Sequence, residues 1–225
     1  MARLARIVAP GCPHHVTARG NRREPIFFED GDQDLYLDIL AEHMAEAQVA
    51  VWAYCLMPNH VHLIACPETA EGLGRAMGAA HRRWANARGR WRGHLFDGRF
   101  ASVAMDEDHL LSCVRYVALN PVRAGLAASA WDWRWSSVHA HGRGQDDGVV
   151  RVAPVLERVG DIAAFLAKDE PVSAWSALRA SERTGRPLGT DAFVADLERR
   201  LGRPTARSAP GRKGRTVVAD QMSLL

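Results

Sequence analysis

The stretch from Val49 to Cys66 constrains the fold more than any other part of the chain. VAVWAYCL and HVHLIAC are apolar runs suited to strands, and only Met57-Pro58-Asn59 separates them. Two such runs joined by so short a turn form an antiparallel strand pair. A lone pair buries too little to be stable, so other elements must cover it. Upstream, residues 13–19 (PHHVTAR) alternate as a strand does and end at Gly20-Asn21. An acidic loop of Glu29, Asp30 and Asp32 then opens a helix through about Gln48. Leu35, Ile39, Leu40, His43 and Met44 recur there at helical spacing. Downstream, a second helix is expected from near Glu68 to about Ala87, and a fourth strand over 99–105 (RFASVAM). Asp106 is suited to cap a third helix, which must end or kink at Pro121. The order β-α-β-β-α-β defines an α+β chain of the ferredoxin-like plan with an antiparallel sheet.

This domain is expected to span residues 1–141, ending in an aromatic-rich segment (WDWRWSSVHAH). Residues 142–149 read as a linker, and 150–202 as a helical appendage with no strand signal. Its last helix has Thr190 as candidate N-cap and Phe193, Leu197 and Leu201 on one stripe. Residues 203–225 are rich in Arg, Pro, Gly, Ser and Ala, and read as a disordered basic tail.

No apolar run is long enough to span a bilayer, and no secretory signal opens the chain, which points to the cytoplasm. The net charge of +3 is modest but unevenly spread. Arg75, Arg82, Arg83, Arg88, Arg90, Arg92 and Arg99 face a single acid, Asp97, with Trp84, Trp91 and Phe96 interleaved. Arginine forks suit phosphate and aromatic faces can stack on bases; a solvated helix face over buried aromatics fits the pattern equally well. Cys12, Cys55, Cys66 and Cys113 form no C-x-x-C pair and read as free thiols. Cys12 with His14 and His15 could seed a zinc site, but no second close pair completes one.

Two small constellations carry chemistry. His60 and His62 are i and i+2 on a strand, so both imidazoles point to one face, about 7 Å apart along the chain. Aimed alike, they can hold one divalent ion, although an H-x-H pair alone is a weak signal. Tyr116 and Asn120 are i and i+4 on a helix and share a face. A phenol can attack phosphorus, and the Asn carbonyl can complete a metal's shell. Together these groups fit transesterification of a phosphodiester. A metal at His60, His62 and Asn120 would neutralise a non-bridging oxygen, and a tyrosyl phosphodiester would conserve the bond for rejoining.

YCLMPNHVHLI, from Tyr54 to Ile64, resembles the signature strand pair of the HUH single-tyrosine transposases. RYVALNPVRA, from Arg115 to Ala124, is similar to the tyrosine helix of their REP-associated branch. HVTARGN from His15, FDGRF from Phe96 and Trp135-Ser136-Ser137 extend the likeness over about residues 10–140, and TGRPLG from Thr184 resembles the branch's C-terminal segment. The resemblance implies an HUH fold that recognises hairpins in single-stranded DNA. It also implies a 5′-phosphotyrosine link through Tyr116, with Mg²⁺ or Mn²⁺ at His60 and His62. Asn at position 120 is similar to the REP-associated branch, whereas mobile relatives often carry Gln. Ala101 stands where relatives commonly carry a basic residue, which removes one backbone contact.

On this reading Arg19, Asn21, Arg22 and Arg23 are candidates to read bases beside the hairpin. Arg82, Arg83 and Arg99 are candidates for the phosphate backbone. The enzyme would be a monomer or a homodimer in the nucleoid. A domesticated hairpin-binding regulator is the nearest alternative; an RNA-binding module lacks the aromatic strand pattern it would need. The chain ends in Gln221, Met222, Ser223, Leu224 and Leu225, which resembles the peptide that docks on the sliding clamp, with Gln221 hydrogen-bonded and Met222, Leu224 and Leu225 in an apolar pocket.

Overall fold

The computed structural model describes residues 6–89, 94–168 and 172–205. Four strands, β1 (His14–Arg19), β2 (Val49–Met57), β3 (His60–Pro67) and β4 (Ala101–Ala104), form one antiparallel sheet in the order β2-β3-β1-β4. α1 (Asp32–Glu46) joins β1 to β2, α2 (Gly72–Arg88) joins β3 to β4, and α3 (Glu107–Ala118) follows β4. This is the α+β, ferredoxin-like order expected from the sequence pattern.

Register decides what each sheet face carries. The pairing of β2 with β3 is irregular between Val51 and Ala53, where Trp52 is the extra residue. The slip resets the alternation. Val51, Tyr54 and Leu56 reach one face, and Ala53, Cys55 and Met57 the other. On the first face, Tyr36, Leu40 and Met44 of α1 and Leu73, Met77 and Trp84 of α2 pack on Val16, Ala18, Val61 and Leu63. Trp84 is fully buried and its Nε1–H donates to the Ile26 carbonyl at 3.0 Å. Phe96 is buried too, its ring centroid 3.9 Å from that of His81. Of the two readings open for these aromatics, the fold takes the core one, because burying such a ring is worth about 2 kcal/mol or more. Arg90, Trp91 and Arg92 lie outside the described residues.

The second face is covered by α3 and by helices that follow it, α4 (Asn120–Arg123), α5 (Val138–Arg143), α6 (Ala153–Val159), α7 (Ile162–Ala167) and α8 (Val172–Thr184), while α9 (Asp191–Leu201) packs apart from them against Ala104 of β4. Asp106 caps α3 by accepting from the His109 amide at 3.1 Å. The helix breaks at Leu119, so Pro121 falls in the first turn of α4, where its missing N–H costs nothing. Ile64 and Val103 of the sheet, Cys113 and Val117 of α3, and Val155, Ile162, Leu166 and Leu178 beyond it share one apolar cluster.

Residues 142–149, expected as a linker, are pinned to the sheet. Asp147 accepts from the Val149 and Val150 amides and from the Tyr54 hydroxyl, the last at 2.7 Å. Val150 then bridges Val51 in parallel. Thr190 caps α9, and Leu197 packs with Phe193 and Leu201 on Ala9, Cys12 and Ala104.

His14 seeds no zinc site beside Cys12. Its Nε2 accepts from the Ala9 amide at 3.1 Å and its Nδ1 donates to the Cys12 carbonyl at 2.8 Å. Both ring nitrogens are thereby used. Among the described residues no helix is long and apolar enough to cross a membrane. Gln221, Met222, Leu224 and Leu225, with the tail beyond Thr205, lie outside the described residues.

Candidate active site

Antiparallel register brings the site together from distant sequence. His15, Thr17 and Arg19 of β1 lie opposite Ile64, His62 and His60 of β3, so all six share a face. Ile64 belongs to the cluster under α3, which makes this the α3 face. Tyr116 projects from α3 onto it. The Tyr116 ring centroid is 5.6 Å from that of His62 and 5.9 Å from that of His15, edge-on to both. Tyr116 and the histidine pair are therefore neighbours.

The tautomer of His60 follows from its partner. The Asn59 Nδ2 donates to the Arg23 carbonyl at 2.8 Å, which fixes the amide and turns Oδ1 towards His60. His60 Nδ1 lies 2.6 Å from that oxygen and must donate, leaving a lone pair on Nε2. His62 Nδ1 lies 3.0 Å from His15 Nε2, and His62 Nε2 has no hydrogen-bond partner among the described residues. Burial, then the charge of Arg19, lowers His60 to about 4; burial alone lowers His15 to about 3. Burial, then His15 and His60, pushes His62 well below its ordinary value. All three are neutral at pH 7, the form a metal takes.

His60 and His62 open on a cleft of about 260 Å³, with Arg19, Asp97, Arg99 and Glu182 also on its walls. Asn120 is buried and its Nδ2 lacks a partner among the described residues, but it is not part of that wall. Leu119 stands between α3 and α4 with its amide bonded to Arg115 O and its carbonyl accepting from the Arg123 amide. The orphaned Nε2 of His62 and the free Nε2 of His60 fit a divalent cation bound by imidazole nitrogen; the unpaired atom of Asn120 is the donor Nδ2, which does not itself ligate.

The arginines expected to meet DNA divide in two. Arg19 and Arg99 flank the histidine cleft. Arg22 and Arg23 are exposed and adopt left-handed backbone, φ 54° and 64°, which side-chain-bearing residues seldom do. Asn59 pins this turn through the Arg23 carbonyl, and the Asn21 amide donates to Leu95 O at 2.9 Å. A Cβ on Gly20 would run into the Glu24 carbonyl and come within 2.9 Å of Ile26 Cγ2. Gly20→Ala is accordingly expected to cost roughly 1–3 kcal/mol and to weaken hairpin binding by displacing the turn. A urea melt with fluorescence anisotropy checks both; unchanged anisotropy would separate the turn from DNA. Arg82 and Arg83 are not brought to the histidine face, because α2 packs on the other side of the sheet. Arg83 is also paired with Glu42 of α1 at 2.5 Å.

Sequence reasoning missed four residues here. Arg123 lies 3.9 Å over the Tyr116 ring and 4.6 Å from the Trp175 ring, with Nε and Nη1 lacking hydrogen-bond partners among the described residues. Trp175 stands 6.4 Å from Tyr116, so α8 covers a tyrosine that is only 6% exposed. Glu182, also on α8, brings Oε1 within 3.3 Å of His15 Nδ1. Arg123 and His15 lie inside the motifs quoted above and could have been marked; Trp175 and Glu182 gave no signal.

The family model described as "Transposase IS200 like" matches residues 9–120, which include both histidines, the tyrosine and Asn120, and over that span the chain is similar to that family. Among solved structures it is similar to a REP-associated tyrosine transposase bound to a REP hairpin, at TM-score 0.53 and 20% identity over 67% of this chain and 92% of that one. A Deinococcus radiodurans R1 protein classed as a transposase matches at TM-score 0.38 and 19% identity, over 52% of this chain and 95% of that one. No curated protein matches the chain in sequence.

Proposed function

We propose that this protein cleaves and rejoins hairpin-bearing single-stranded DNA, through a 5′-phosphotyrosine on Tyr116 and with Mg²⁺ or Mn²⁺ held by His60, His62 and Asn120. The observation that carries the proposal is the Tyr116 ring lying 5.6 Å from a His62 whose Nε2 is orphaned. The Tyr116 oxygen attacks phosphorus and gives up its proton. The P–O3′ bond breaks, and the departing 3′ oxygen takes up a proton to become a free hydroxyl. The reverse step rejoins the strands without a nucleotide cofactor. A cation at the histidines would supply charge neutralisation at a non-bridging oxygen. Arg123, with unpaired N–H groups beside the phenol, can donate to the phosphate as its charge redistributes. Arg19, Asn21, Arg22, Arg23 and Arg99 border the approach to the histidines, and Arg82 and Arg83 would serve only a strand that wraps to the α2 side.

Incubation with end-labelled hairpins and Mn²⁺ should yield a covalent adduct on a denaturing gel that proteolysis reduces to a peptide carrying Tyr116. An adduct on another residue, or none, would refute the proposal. The burial of Tyr116 under Trp175 and Arg123 favours, as a second reading, a hairpin-binding regulator with little turnover; binding without an adduct is its signature.

His60→Ala should weaken Mn²⁺ binding by tenfold or more, on the order of 1.4 kcal/mol, with little change in melting, because His60 is partly exposed. His62 is 3% exposed, so His62→Ala should lose metal and stability together. Calorimetric titration with Mn²⁺ decides, and undiminished binding in His60→Ala would remove that residue from the site.

A further inference from the structure

We infer that His15 and Glu182 form a relay that fixes His62 as the Nδ1–H tautomer and so bares its Nε2 lone pair to the cleft. The inference rests on the reading of His60 and His62 as metal ligands, but its geometry stands apart from any ion. The His15 and His62 rings are nearly parallel, at 7°, with centroids 5.2 Å apart and His15 Nε2 to His62 Nδ1 at 3.0 Å. Those values describe two rings side by side in one plane, joined end to end by an N–H···N bond. Rings stacked face to face would lie closer.

The same geometry excludes an ion between the two rings. His15, His62 and Glu182 do place ligand-type atoms within 4.8 Å of one another. A metal in line between two imidazole nitrogens would hold them about 4 Å apart, at roughly 2 Å per bond. At 3.0 Å there is room only for a proton. One nitrogen donates and the other accepts.

Direction follows from the outer partner. His15 is 1% exposed, and its Nδ1 faces Glu182 Oε1 at 3.3 Å. Neither atom has a hydrogen-bond partner among the described residues, so the 3.3 Å approach leaves each of two buried polar atoms with the other as the group it faces. A carboxylate oxygen only accepts, so His15 carries its proton on Nδ1. His15 Nε2 is then an acceptor, and His62 Nδ1 must donate to it. The proton order runs Glu182 Oε1···H–Nδ1 of His15, then His15 Nε2···H–Nδ1 of His62. A metal-binding histidine held through its other nitrogen by a carboxylate is better oriented and more basic, and loss of such a partner costs about 10- to 100-fold in metal affinity. Here the carboxylate acts through an intervening imidazole and arrives from α8, far along the chain from the histidines.

The test is long-range ¹H–¹⁵N NMR of the full-length, metal-free protein at neutral pH, which reads each imidazole's tautomer. His15 and His62 are expected as Nδ1–H forms, with both Nε2 atoms unprotonated. Added Mg²⁺ should then shift Nε2 of His62 and leave Nε2 of His15 unmoved. Glu182→Ala should let His15 populate its other tautomer and weaken Mn²⁺ binding about 10- to 100-fold, with the Glu182→Gln variant intermediate because its amide oxygen can still accept. A proton on Nε2 of either histidine in the unaltered protein overturns the relay. So does a Mg²⁺ shift at His15 Nε2, or equal Mn²⁺ affinity in Glu182→Ala. The expected tautomers with no response of the unaltered protein to either ion would uphold the relay and refute the metal reading of His60 and His62.

Discussion

Tyr116→Phe is expected to lower strand cleavage by about 10⁴-fold or more, the scale of loss when a covalent nucleophile is removed, while hairpin affinity stays within about twofold. The two effects separate because they reside in different groups. The hydroxyl oxygen is the atom that would bond to phosphorus, and phenylalanine deletes it alone. The ring keeps its contacts with Arg123 over its face and Trp175 at its edge, while the Arg123 hydrogen bond to the hydroxyl is lost with the oxygen. On the proposed reading affinity would come from the exposed arginines at the β1 end and along the cleft, which the substitution does not touch. Quantitative cleavage of a labelled hairpin, with anisotropy on the same oligonucleotide, measures both. Cleavage within tenfold of the unaltered protein would move the nucleophile elsewhere.

Acid should destabilise the fold well before its carboxylates protonate. Burial lowers His14 to about 4 and His81 to about 3, and both have structural partners. Protonation of His14 would take the Nε2 lone pair that accepts from the Ala9 amide. His81 lies flat against Phe96, with Nε2 3.2 Å from the Tyr36 hydroxyl. The ordinary histidine value in the unfolded chain is 6.5, above both folded values. The unfolded state therefore binds more protons below that pH. The stability contribution is complete above pH 6.5 and is lost as pH falls, through about 4 for His14 and about 3 for His81. Between pH 6.5 and 5 each histidine costs about 2 kcal/mol. The pair should lower Tm by on the order of 10 °C from pH 7 to pH 5. Melting followed by circular dichroism across that range tests this, and a flat Tm would show that neither ring resists protonation.

What the sequence disclosed was local. The 49–66 strand pair, the helix cap at Asp106 and the i, i+2 placing of His60 and His62 on one sheet face are short-range patterns that the fold keeps, whereas the helix carrying Tyr116 ends before Asn120. What it withheld was pairing between distant segments. His15 reaches His62 only because β1 inserts beside β3, and Glu182 and Trp175 reach the site only because α8 folds back over α3. No spacing along the chain encodes either contact. Trp84 shows a different ambiguity, since an aromatic among arginines looks the same from sequence whether it faces bases or the core. Residues 142–149 show a third: Gly and Asp mark a turn, but only the partners of Asp147 show that the turn is fastened to β2.

The position of α8 has a consequence for synthesis as well as for chemistry. Translation delivers His15, His60, His62 and Tyr116 long before Trp175 and Glu182. A ribosome-bound chain that stops short of α8 can build the sheet and α3, because those contacts are internal to the first part of the chain. Such a fragment would keep Arg123 over the Tyr116 ring but lack Trp175 at its edge and the carboxylate beside His15. Proteolytic trimming ahead of α8 would leave the same species. The covering of Tyr116 by α8 is thus acquired late in synthesis, after every residue that it covers.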